Sequence, residues 1–226
     1  MKRLNFKTKQ QNIKGDSIKA MSRDFSNSIC FKDHKIRFVV DYCVGKDVLD
    51  IGCVHHDPEN YKSKYWLHKA IRKVAGNVKG IDLYKDGVEY LKEQGFDIQI
   101  ADAQCFDLNK KFDVIVAADL IEHLEDFGGF LESCKKHMHT ESRLILSTPN
   151  PWYWRNFIKA GINREVSNNP EHTCWLCVRT LRQLLERHDL LVGKISFGSR
   201  YIRDKIMPLP RGWRHTSFHV EVFQKK

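Results

Sequence analysis

The stretch VLDIGCVHHD, residues 48–57, joins an apolar, β-branched run to an acid, a glycine and two histidines. A buried strand ending in Asp50 and Gly52 is how an open parallel sheet begins its binding edge, because ligands there sit beyond the carboxyl ends of strands, where strand order reverses. A dinucleotide site would continue as G-x-G-x-x-G, letting backbone amides at a helix start approach a pyrophosphate. Here Gly52 is followed by Cys53, Val54, His55 and His56. The stretch predicts the sheet and argues against a nicotinamide enzyme.

Working outward, short β-branched runs alternate with helical patterns. DVLDIG (47–52) precedes NYKSKYWLHKAIRKVA (60–75), and VKGIDL (78–83) precedes DGVEYLKEQ (86–94). FDIQIAD (96–102) and FDVIVAAD (112–119) follow, then IEHLEDFGGFLESCKKHM (121–138) and RLILSTP (143–149). Strand and helix in turn mean crossover units and a parallel sheet. Ahead of them, Ile36, Val39, Val40 and Cys43 fall at helical spacing behind a possible Asp33 cap, and Leu67, Ala70, Ile71 and Val74 form a second core-facing stripe. After the amphipathic TLRQLLERHDLLV (180–192), GKISFG (193–198) and FHVEVFQ (218–224) read as two strands joined by a loop, which is most simply antiparallel. The expectation is a doubly wound α/β fold of seven strands, the last one antiparallel.

Composition bounds the rest. A chain of 226 residues, 42% hydrophobic and 29% charged, fits one domain over 32–226 with a basic amino-terminal arm over 1–31. The net charge of +10 favours polyanions or an anionic membrane surface as partners. With no long apolar run and no secretion signal in MKRLNFKTKQQNIKG, a cytoplasmic location is expected. Seven cysteines at irregular spacing suit a reducing compartment. Cys174 and Cys177 form a CxxC, and His172 could join them, but no further ligand stands at a zinc-like interval, so no metal is expected.

A cofactor without phosphates needs an acid for an ammonium group, one close backbone approach, an acid for a ribose and a polar group for an adenine. Asp50, Gly52, Asp82 and Asp102 offer these in order, a set that describes S-adenosylmethionine. VLDIGC, GIDLY, ADAQCF, FDVIVAADLIEHL and LILSTPNP, in this order, resemble the class I S-adenosylmethionine-dependent methyltransferases over about residues 46–192. The resemblance implies a Rossmann-like sheet of order 3-2-1-4-5-7-6. It implies Asp82 as ribose ligand, Asp102 as adenine neighbour, and Leu83, Ala103 and Ala118 as further cofactor contacts. The departure is the missing glycine pair after Gly52, which leaves either another loop path or a catalytically silent scaffold. His55 and His56 are candidates for cofactor or substrate contact.

WLHKAI, EHLEDFGGFL, STPNP and PEHTCW look like a subgroup acting on surface polysaccharides and other glycoconjugates. If the acceptor is a hydroxyl, its proton must leave, and His172, Asp119 and His123 are the candidate bases, His172 first. Glu122 reads instead as a charge at a helix amino end. The connection over about 149–178 reads as an acceptor-side insertion whose Trp152, Tyr153, Trp154 and Phe157 could stack on a sugar or base. The loop 199–217, with Arg200, Arg203, Lys205, Arg211 and Arg214 against Asp204, suits a phosphate. The acceptor expected is a nucleotide sugar or lipid-linked saccharide, with RNA the alternative.

Overall fold

The computed structural model describes residues 34–55, 57–162, 164, 166, 169–199, 201, 204 and 206–226. The basic arm, the Asp33 cap, His56, Arg200, Arg203 and Lys205 lie outside the described residues. Helix α1 (His34–Cys43) leads into β1 (Asp47–Ile51), then α2 (Leu67–Arg72), β2 (Asn77–Asp82), α3 (Lys85–Glu93), β3 (Ile98–Ile100) and β4 (Phe112–Ala118). Helix α4 (Phe127–Lys136), β5 (Met138–Pro149), α5 (Trp154–Gly161), α6 (Val178–Arg187), β6 (Leu190–Gly198), α7 (Arg211–Arg214) and β7 (Ser217–Gln224) complete it.

The sheet has the predicted order, β3-β2-β1-β4-β5-β7-β6. Strand β1 pairs in parallel with β2 and β4, and β7 lies antiparallel between β5 and β6. Successive side chains of a strand point to opposite faces, and the sequence supplies apolar groups for both. Val48, Val114 and Val116 pack with Phe38, Val39 and Cys43 of α1 and Ile71 of α2 on one face. Leu49, Ile51, Ile115 and Ala117 pack on the other with Phe130 and Leu131 of α4 and Leu181 and Leu185 of α6. The central strands therefore hold their carboxyl ends at one rigid edge.

Several boundaries differ from the sequence reading. The helix expected over 60–75 divides into a 3-10 turn, Pro58–Lys62, and the short α2. Pro58 starts the turn with Asp57 accepting from the Glu59 amide, while Ser63 and Trp66 are extended. The extended Trp66 buries its indole and donates Nε1–H to the Cys53 carbonyl at 2.8 Å, a contact helical periodicity does not reveal. Beyond β4, Ile121–His123 form only a 3-10 turn, and α4 starts at Phe127 under an Asp126 cap. Glu122 is thus not a helix-end charge, which corrects that expectation. Strand β5 begins at Met138 rather than Arg143, and the 149–178 connection contains α5, none of whose residues is buried.

Candidate active site

Gly52, after β1, has φ +71°, and a Cβ there would meet Leu120 Cδ1 at 3.0 Å, so glycine is required. Among the described residues only Asn109, Asp119 and Asp189 are non-glycines with positive φ, so the loop through Val54 and His55 follows a path that needs no second glycine. Side chains from elsewhere hold that path. Asp82 Oδ2 accepts from the Val54 amide at 2.8 Å and Oδ1 from the Tyr84 amide at 2.9 Å. Burial raises the Asp82 pKa, against the lowering effect of these amides. Asp50 is buried and holds His68 Nδ1 at 2.9 Å.

A cleft of about 920 Å³ opens at this edge, and Asp50, Gly52, His55, Ala118, Asp119, His123 and His172 all line it. Asp82 ends β2, and Leu83, Asp102 and Ala103 follow β2 and β3 at the same edge, but none of these four lines the cleft. Asp102 Oδ1 accepts from the Gln104 amide at 2.8 Å, and Leu83 is exposed.

Asp119 ends β4 with φ +52°, its Oδ2 2.6 Å from Lys35 Nζ of α1 and its Oδ1 accepting from the Ser147 hydroxyl at 2.6 Å. Enclosure pushes its pKa up, but the Lys35 ammonium and the Ser147 hydroxyl prevail and hold it below the usual range. A carboxylate so committed is a poor proton acceptor, which corrects its candidacy as base.

Glu122 lies behind it, 2% exposed, with neither carboxylate oxygen hydrogen-bonded. Burial and the nearby Asp119 charge push its pKa up to about 8. The His123 and His172 rings meet edge to face, centroids 4.7 Å apart. Burial, then His123, lowers the His172 pKa, favouring the neutral imidazole. The Glu122 carbonyl accepts from the Thr173 amide at 2.9 Å, and the Thr173 hydroxyl lies 2.8 Å from the Leu124 carbonyl. The loop carrying His172 is thereby fastened to the turn carrying Glu122 and His123.

The insertion aromatics divide. Trp152 and Phe157 are exposed and stacked, centroids 6.2 Å apart, with Trp213 of α7 next to Phe157. Tyr153 is instead buried, donating its hydroxyl to Asp204 at 3.0 Å. Cys177 caps α6, and both it and Cys174 are free thiols. Sequence reading missed Lys35, His68 and His219. His219, on β7, lines the cleft with neither ring nitrogen hydrogen-bonded. The alternation of HVEV marks it only as an inward position.

Comparison with known proteins agrees with this geometry. Residues 29–193 match the methyltransferase-domain family. A probable S-adenosylmethionine-dependent methyltransferase of Mycolicibacterium smegmatis is 28% identical over 69% of this chain and 57% of its own length. A ubiquinone biosynthesis O-methyltransferase of Actinobacillus pleuropneumoniae is 29% identical over 47% of each chain. This chain thus spans about half the length of these curated relatives. Among solved structures, an S-adenosylmethionine-dependent methyltransferase from Archaeoglobus fulgidus superposes with a TM-score of 0.58 at 22% identity, covering 84% of this chain and 91% of that one. The magnesium protoporphyrin IX methyltransferase of Synechocystis, solved with bound SAH, gives 0.57 at 14% identity, covering 100% of this chain and 90% of its own. The fold and the cleft define a class I, Rossmann-like methyltransferase domain. The chain belongs to the methyltransferase-domain family, and the cofactor of that class is S-adenosylmethionine.

Proposed function

We propose that this protein transfers the methyl group of S-adenosylmethionine to a hydroxyl oxygen of a saccharide that carries phosphate. The observation that carries the reading is the cleft, with the left-handed Gly52 turn on one wall and the Glu122, His123 and His172 group on another. The residues fit the cofactor, since Gly52 keeps the backbone bare where a Cβ would crowd Leu120. Asp50, Gly52 and Ala118 would hold it from within the cleft, with Asp82 and Asp102 on the adjoining edge. When bound, it supplies a methyl on a sulfonium leaving group.

The chain's own part is to align the acceptor, exclude water and remove a proton. His172, His123 and Glu122 are the groups that act on that proton, with His172 central because its loop is fixed in place by Thr173. Likeness to O-methyltransferases supports an oxygen acceptor. The exposed Trp152 and Phe157 pair, with Arg211 exposed on α7, supports a sugar face and an anionic group. His172→Ala is expected to lower turnover by about 10² to 10⁴-fold while leaving cofactor affinity unchanged in calorimetry. Full turnover in that variant refutes the assignment of His172.

A further inference from the structure

We propose that the acceptor end of the cleft is a divalent metal site formed by Glu122, His123 and His172, and that the acceptor hydroxyl is a further ligand. The proposal rests on the methyltransferase reading and adds to it how the proton is lost.

An isolated carboxylate is costly to bury unless it is paired or coordinates a metal, and an orphaned one calls for a partner. Glu122 is 2% exposed and neither of its oxygens makes a hydrogen bond of normal geometry, the neighbouring Thr148 hydroxyl being a minor influence beside burial. Lys35, which lines the same cleft, is joined to Asp119 at 2.6 Å. Glu122 lines the cleft, and one ligating atom from each of Glu122, His123 and His172 lies within 4.8 Å of the others. Three ligands each about 2.1 Å from one tetrahedral ion stand about 3.4 Å from one another, so a shift of up to about 0.8 Å in each ligating atom seats all three.

The support is built in. Thr173 ties the His172 loop to the Glu122 carbonyl through its amide at 2.9 Å. Glu122 and His123 are adjacent on a 3-10 turn, so the ligands come from two segments already fastened together. Two imidazoles and one carboxylate suit zinc, manganese or iron(II) better than calcium, and leave coordination positions open. A hydroxyl bound there sheds its proton more readily, as metal-bound water does. The O–H bond breaks, its electron pair stays on oxygen, and the proton passes to solvent at the mouth of the cleft. His172 then acts on the acceptor proton through the ion.

Full-length protein stripped with a chelator and titrated with Mn²⁺, followed by calorimetry and by the electron paramagnetic resonance of the free ion, tests this. One ion per chain is expected, with binding weakened at least about tenfold in both Glu122→Gln and His172→Ala, and unchanged in His188→Ala, a half-buried histidine outside the cleft. Circular dichroism melts confirm that the variants are folded. No binding, or binding indifferent to the two cleft substitutions, overturns the site. S-adenosylmethionine titrated into the same stripped protein separates the two readings. Cofactor binding without metal binding keeps the proposed function and removes this inference, whereas metal binding without cofactor binding leaves an ion site and removes both the proposed function and the role in methyl transfer inferred for that site.

Discussion

At the scale of single residues, His219 stands apart from the other histidines of the cleft. It is fully buried between β5 and β6, beside His34 and Phe38, and burial lowers its pKa to about 3. Once unfolded, it takes up a proton near pH 6.5. The unfolded chain therefore binds the extra proton between those values, and the stability contributed by neutral His219 is complete above about pH 6.5 and lost as pH falls toward 3. The slope is roughly 1.4 kcal/mol per pH unit at most. Melting temperatures measured from pH 7 to pH 4 should fall more steeply for the native protein than for His219→Phe, which keeps the ring and loses the titration. Parallel curves would show that the acid sensitivity arises elsewhere.

At the scale of elements, the site depends on how two loops are joined. The Thr173 hydroxyl lies 3.1 Å from the Glu122 carbonyl and 2.8 Å from that of Leu124, so Thr173→Val keeps shape and removes the hydroxyl bond. The expected result is a loss of about 1 kcal/mol in stability and a fall in turnover of about tenfold, corresponding to a loss of about 1.4 kcal/mol in transition-state stabilisation, with cofactor affinity retained. Unchanged turnover would separate the fastening from the chemistry. The sheet was legible in the sequence because runs such as VLDI and DVIVAA state both the strand and its two-sided burial. So was the core stripe of α1, where Ile36, Val39, Val40 and Cys43 are all buried. The division of the 60–75 segment was not, because it depends on where Trp66 finds its carbonyl. The meeting of Glu122 and His123 with His172 was not either, because a contact across that much chain leaves no local period. Asp119 illustrates the same limit: its position was readable, and the Lys35 that neutralises it was not.

At the scale of the whole molecule, the net charge of +10 sets two acceptors against each other. A saccharide with one or two phosphates would touch few charges. Single-stranded RNA would contact many, and its affinity would fall logarithmically with salt by roughly 0.7 per phosphate. Titrating acceptor binding against sodium chloride should give a shallow slope with phosphorylated or lipid-linked saccharides, and Arg211→Ala with Arg214→Ala should raise the Michaelis constant for them. A steep slope with a short RNA that also receives the methyl group would replace the saccharide with RNA. Among the described residues, no helix is long and apolar enough to cross a membrane.

The ion pair between Lys35 and Asp119 also has a practical side. Because His34 and Lys35 both line the cleft, the first turn of α1 stands at the doorway of the chemistry. Strand β7 runs the other way and ends at Gln224, at the far side of the sheet. A reporter dye placed on His34 itself would therefore sit beside the substrate, whereas one placed on Gln224 would be kept away from it. Of two such labels, the first should change its emission when acceptor enters and the second should stay constant.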